Sequence, residues 1–464
     1  VEDLAEAAIR HALKLGAEFA DLRIESANGT NIVVMDGKTK TLLAQQESGC
    51  GLRAFIGGAW GFSATNTLTA SSLRLAASSA VKMAKVARSK AKIQFSISRM
   101  RAVRATEEYR CKEKPSDVSV DEKLSYALSL DKSMSSTDAR IASTSSRYDD
   151  LEAERVVANS FGTLVRTKER WVLAACSAWS KSEGITQRGH ASTGSVGGYE
   201  LMRGDEAADL GTRAAAQALR LLDAKPVPAG KFTVIIDNDM TGVLAHEAFG
   251  HACEADGVLA GSSVVEGRIG QKVAGDEISL IDDPTIGDTF GHFSFDWEGV
   301  KANKHVLIEK GILKGYLHNI ETSSRMNLPA GGSARSQGHN NVPIIRMSNT
   351  YVAPGDMKKD ELFEELKRGL LMQGIQYGYV ESAKGQFMFK CDEAYEITNG
   401  ETGQIYRDAS ISGVILEVLN NVEGLANDFL FGDPGFCGKG GQSARVADGG
   451  PHMRVANMVV GGLA

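Results

Sequence analysis

Fifty glycines in 464 residues, dense from Gly432 to Gly462, constrain the fold before any other feature does. Glycine enters turn conformations that other residues resist and weakens helix interiors. The chain must turn often and tightly, which suits a sheet-rich α+β architecture better than a helical bundle. From 138 to 193, β-branched and polar residues alternate, with turns near Asp149-Asp150 and Phe161-Gly162, so several antiparallel strands are expected. Two hairpins are also expected. Asn31 to Met35 and Lys38 to Leu43 flank Asp36-Gly37, and Leu52 to Ile56 and Ala59 to Ala64 flank Gly57-Gly58.

Helical periodicity covers residues 3–15, about 70–87, 120–133, Asp205 to Leu222, about 359–371 and Ile411 to Leu419. The segment Ala224-Lys225-Pro226-Val227-Pro228-Ala229-Gly230 reads as a linker. Two domains follow, 1–225 and 226–464, each with antiparallel or mixed sheets and flanking helices. With 52 basic against 58 acidic side chains, the chain lacks the concentrated basic stripe of a nucleic-acid surface. The basic run from Arg88 to Arg104 reads as a solvated linker. No run approaches the roughly 20 apolar residues that span a bilayer, and the start at Val1 lacks a signal layout, so a cytoplasmic protein without membrane partners is expected. Six cysteines without a CxxC pair argue against a disulfide framework.

The chemistry concentrates in His246-Glu247-Ala248-Phe249-Gly250-His251, which follows the apolar strand Phe232 to Ile236 and the capping segment Asp237-Asn238-Asp239. Two imidazoles and a carboxylate at such spacing point to a metal-dependent hydrolase: the histidines bind the ion and Glu247 takes a proton from a metal-bound water. The spacing is five residues, whereas zinc-protease helices use four. At about 100° per residue, positions i and i+5 diverge by roughly 140° on an α-helix. A one-residue π-bulge restores a common face, and Gly250 tolerates the backbone it requires. A catalytic site needs a third protein ligand. Glu254 and Asp256 lie nearby, while Cys253, Cys391 and Cys437 offer thiolates, and the pattern leaves the choice open. Cys437 has suggestive surroundings, because glycines allow close approach and Lys439 favours a thiolate.

Taken with the segments Phe436-Cys437-Gly438-Lys439-Gly440-Gly441-Gln442-Ser443 and Arg346-Met347-Ser348-Asn349-Thr350-Tyr351, the stretch from His246 to Asp256 resembles the TldD/PmbA family of metalloproteases, specifically its TldD type. The resemblance is strong from about 230 to 464 and weaker before. It implies a metal, usually zinc, held by His246, His251 and Cys437, with Glu247 as the motif carboxylate. It implies unfolded or short peptides as substrates, and a homodimer or a heterodimer with a TldE/PmbA-like chain around an enclosed site. Such a site admits an extended peptide as an added strand on a sheet edge. His339, Arg335 and Tyr351 lie in a family-like segment and are candidates for holding substrate, and His190 for lining the cleft. The rival expectation is a non-enzymatic regulatory or peptide-binding subunit in which the metal only fixes the fold.

Overall fold

A computed structural model describes residues 1–462 of the chain. Residues 2–222 build one seven-stranded sheet with four helices on a single face. The strands are β1 (Phe19–Met35), β2 (Lys38–Ile56), β3 (Ala59–Thr65), β4 (Arg104–Glu108), β5 (Ile141–Asn159), β6 (Leu164–Ser182) and β7 (Ile185–Val196). Their order is β3-β2-β1-β5-β6-β4, and β7 pairs with the remainder of β6. The hairpins expected at Asp36-Gly37 and Gly57-Gly58 are present, with arms longer than the local pattern indicated.

Strand alternation determines which side the helices cover. On β1, Leu22, Ile24, Ile32 and Val34 share one face and are buried. Helices α1 (Glu2–Lys14) and α2 (Ala70–Arg88) cover one end of that face, and α3 (Val120–Ser135) and α4 (Asp205–Leu222) cover the other. The intervening residues Asp21, Arg23 and Glu25 are buried too, although charged. They face the second half of the chain.

That half, residues 225–462, contains a sheet that closes on itself. The strand Gly230–Ile236 pairs with Arg368–Glu381 and Met453–Gly462, and Ala409–Val414 and Gln386–Thr398 complete the ring back to Arg368–Glu381. A second sheet contains Leu280–Asp282, Asn349–Val352 and Gln442–Gly450, with Gly435–Lys439 paired to the last. Between them packs α5 (Asn238–Val243) and its continuation, whose Leu244, Ala248 and Phe249 enter the largest apolar core.

Two expected helices are shorter than the periodicity suggested. The helix at Lys359 ends at Glu364, and Arg368–Glu381 is a strand. A Cβ at Gly369 would meet the Thr233 carbonyl at 2.5 Å, so this backbone is committed to parallel pairing. Ala409–Val414 is likewise a strand, with Ile411 opposite Val460, and the helix begins only at Ile415. The basic run after Arg88 is mostly irregular, yet it buries Ile97 against Phe19 and Phe55. No helix among the described residues is long and apolar enough to cross a membrane.

Candidate metal centre

Asp237 caps α5 by accepting from the Met240 N–H at 2.9 Å. The chain then passes into a π-helical segment, Leu244–Gly250, and a 3₁₀ turn, His251–Cys253. The His251 N–H donates to the carbonyl of His246, five residues back. This wider winding turns both imidazoles to one side, with ring centroids 5.2 Å apart. Gly250 is needed for a different reason from the one its backbone freedom suggests. Its φ is an ordinary helical −57°, but a Cβ there would lie 2.1 Å from Met347 Sδ. The glycine supplies space, not unusual torsion.

Cys437 arrives on Gly435–Lys439, which turns through Gly440-Gly441 into Gln442–Gly450. One potential ligand atom from each of His246, His251 and Cys437 lies within 4.8 Å of the other two. Cys437 Sγ is 3.3 Å from His251 Nε2. Each imidazole is backed by a carboxylate. His246 Nδ1 is 2.7 Å from Asp448, and His251 Nδ1 is 2.8 Å from Glu254. Such partners orient metal-binding histidines and raise their basicity. Asp448 lies on the strand that pairs with the cysteine strand, and Gly242 lets α5 approach it, since a Cβ there would lie 2.4 Å from the Gly449 nitrogen.

The electrostatics fit a cation. Burial opposes ionisation of Cys437, but His246 and His251 outweigh it and bring the thiol down to about 5. Burial also opposes a charged His251, yet Cys437 and Glu254 together raise it to about 9. His246 Nε2 is buried and has no hydrogen-bond partner among the described residues. Two imidazole nitrogens and a thiolate, with the other ring nitrogens occupied, form a donor set suited to a borderline-soft divalent ion. Glu247 stands at the rim, 39% exposed, with Oε2 3.7 Å from His251 Nε2. It borders a cavity of about 570 Å³ also lined by Asp256, Ser382, Gly438 and Lys439.

The other cysteines and acids of the sequence pattern do different work. Cys253 and Cys391 lie in the apolar core, where burial pushes both thiols well above their usual value. Glu254 and Asp256 engage Lys439, at 3.1 and 2.7 Å, so that lysine neutralises carboxylates and is not the group that favours the thiolate. Of the remaining candidates, none joins the cluster of three. His339 Nε2 donates to Asn66 Oδ1 and lies against Gly49, where a Cβ would be 2.1 Å from its ring. Tyr351 packs on Phe429 and Phe431. His190 lines a separate polar cavity of about 580 Å³, and burial with Arg188 beside it holds its pKa near 4. Arg335 is buried and donates to the carbonyls of Met347 and Arg445, at 2.8 and 2.5 Å.

Sequence reasoning missed Asp448 and Arg346. The buried Arg346 guanidinium donates to the carbonyls of Cys437 and Gln442 and so ties down the cysteine hairpin. Neither has a local signature, since each acts on a segment about 90 or more positions away. Glu254 did have one, because a carboxylate three residues after His251 falls on the same helical side.

Three family models match the chain: PmbA/TldA metallopeptidase domain 1 over residues 20–84, the central domain over 113–222, and the C-terminal domain over 229–462. A metalloprotease from Methanothermobacter thermautotrophicus is 39% identical over 96% of both chains. One from Methanocaldococcus jannaschii is 37% identical over 96% of this chain and 97% of its own. A zinc metalloprotease TldD homolog from Saccharolobus solfataricus is 37% identical over 50% of this chain and 52% of its own. TldE from Thermococcus kodakarensis shares the fold, with a TM-score of 0.75 at 17% identity over 99% of this chain and 100% of its own. So does a candidate modulator of DNA gyrase from Thermotoga maritima, with a TM-score of 0.78 at 21% identity over 99% of this chain and 100% of its own.

Proposed function

The chain belongs to the PmbA/TldD family of metallopeptidases, and from that premise we propose that it is a zinc-dependent endopeptidase acting on unfolded or short peptides. The observation that carries this reading is the convergence of His246, His251 and Cys437 within 4.8 Å, with Glu247 at the cavity rim. His246 and His251 bind through Nε2, because Asp448 and Glu254 occupy their Nδ1 atoms. Cys437 binds as the thiolate that its surroundings favour. A bound zinc ion supplies Lewis acidity, polarising the scissile carbonyl and acidifying water. Glu247 Oε2 accepts the proton of the attacking water and hands it to the leaving amine.

Support for an extended substrate comes from the cysteine strand. Among the described residues Gly435–Lys439 pairs on one side only, with Gln442–Gly450, and its Phe436 and Gly438 are exposed. A peptide laid along the open edge reaches the thiolate through main-chain hydrogen bonds that ignore side-chain identity. The reading includes a second subunit, another copy or a TldE/PmbA-like chain, covering the open side on which Glu247 stands.

The test is Glu247→Gln. This variant is expected to keep a full complement of zinc by metal analysis and to lose cleavage of an unfolded peptide by about 100-fold or more. Undiminished cleavage by metal-replete variant protein would remove Glu247 from the role. A zinc-loaded wild-type protein that cleaves no peptide would favour the structural-metal subunit instead.

A further inference from the structure

A third cavity, of about 260 Å³, lies between the N-terminal sheet and the C-terminal half. Five buried charges line it: Glu25, Arg155 and Glu169 from the first, Arg335 and Arg445 from the second. Four are paired. Arg155 bonds Glu25 and Glu169 and stacks 3.5 Å above the Trp297 ring, and Arg445 reaches Glu169 at 3.3 Å. Arg335 makes no ion pair among the described residues. Its Nη1 serves the two carbonyls already described, while Nε and Nη2 have no hydrogen bond there. Arg335 as a residue is 6% exposed, and it borders the cavity. The one further carboxylate on the lining, Glu47, is exposed at the rim and screened by water.

An unpaired buried charge is costly, and a ligand that supplies the opposite charge recovers that cost. Burial, with Arg445 and Arg346 close by, lowers Arg335 to about 9, which leaves it cationic at neutral pH. The position of the cavity indicates what ligand reaches it. Phe436 lines it, whereas Gly438 and Lys439 line the cavity at Glu247, and Cys437 stands between. Two residues of extended strand span about 7 Å. A peptide on the open edge of Gly435–Lys439 therefore runs past Cys437 towards Phe436, whose side chain lines the cavity that Arg335 borders from beyond the neighbouring strand.

We propose that this cavity is a carboxylate-binding subsite, in which Arg335 takes an Asp or Glu side chain or the terminal carboxylate of a peptide, close to the cleaved bond. The inference rests on the peptidase reading above and deepens it. Guanidinium and carboxylate match as a two-pronged pair, and the Phe293 ring, 5.2 Å from the Arg335 guanidinium, forms part of the cavity wall beside it.

The test uses matched peptides that differ by Glu against Gln at each of three positions on either side of the cleaved bond, and by free acid against amide at the C-terminus. Binding is read by fluorescence anisotropy on zinc-loaded Glu247→Gln protein, and kcat/KM on wild type. One carboxylate member is expected to bind about tenfold or more tightly than its neutral twin. Preference for the free acid identifies the chain terminus, and preference for Glu identifies a side chain. In Arg335→Gln the ratio of carboxylate to neutral affinity should fall to one; in Arg335→Lys, which retains charge without the fork, it should shrink to about two- or threefold. Equal binding of every pair by the wild-type subsite overturns the inference, as does an undiminished preference in Arg335→Gln. If the Arg335 variants do not fold, the wild-type pairs still decide. Carboxylate-selective binding without cleavage of any peptide would instead count against the peptidase reading and leave the subsite standing.

Discussion

Two buried polar clusters in this molecule are built from similar means and reach opposite ends. At the seam between the halves, Asp21 pairs with Arg23 and Arg53, and Arg53 reaches across to Glu298 at 2.7 Å. Each of these four charges has an opposite partner supplied by the chain. At the candidate metal centre two imidazoles and a thiol converge, carboxylates hold the outer imidazole nitrogens, and His246 Nε2 has no hydrogen-bond partner among the described residues. The first cluster is closed and fixes how the halves meet. The second is open and is arranged for a guest. Burial makes both expensive, so the difference lies in who provides the compensating charge.

The comparison can be broken at several points. The largest effect is expected at the seam. Arg53→Met leaves Asp21 and Glu298 short of their shared partner and should lower stability by about 3–5 kcal/mol, seen as a fall in the denaturation midpoint. Folded Arg53→Met should still bind one zinc per chain, and failure to do so would join the two clusters functionally. Next comes Cys437→Ala, expected to weaken zinc binding by more than about 100-fold in chelator competition, beyond what loss of an outer carboxylate causes. Normal zinc stoichiometry there would reopen Glu254 or Asp256 as ligand. The smallest effect is expected from Asp448→Asn, which preserves shape but weakens support for His246. Zinc affinity should fall about 10- to 100-fold with little change in midpoint, and unchanged affinity would reduce Asp448 to packing.

Much of this was legible along the chain. The period-two alternation on β1 separates Leu22 and Ile24 from Asp21, Arg23 and Glu25. It does not reveal that the charged side is buried as well, because that depends on a half of the chain some 270 residues later. The five-residue spacing of His246 and His251 required loosened winding, and the backbone is π-helical there. The expectation for Gly250 misjudged its cause, since crowding by Met347 is a tertiary contact with no trace in local torsion. Periodicity also overran at 359–371, where sheet pairing overrides helical pattern beyond Glu364.

Along the chain alone, what can be read is local and chemical: the donor types of the motif, the misfit of its spacing, the turns, and the sides of the long strands. These follow from covalent geometry and the two periodicities of the backbone. The residue pattern left the third ligand open and the family resemblance pointed to Cys437; the fold brings its Sγ to 3.3 Å from His251 Nε2 and sets Asp448, 202 residues from His246, behind that ring. The fold likewise directs Lys439 to the acids and leaves Arg335 without an ion pair among the described residues, beside a cavity. Each of these depends on which strands become neighbours, and burial of the whole chain selects those neighbours, not any segment alone.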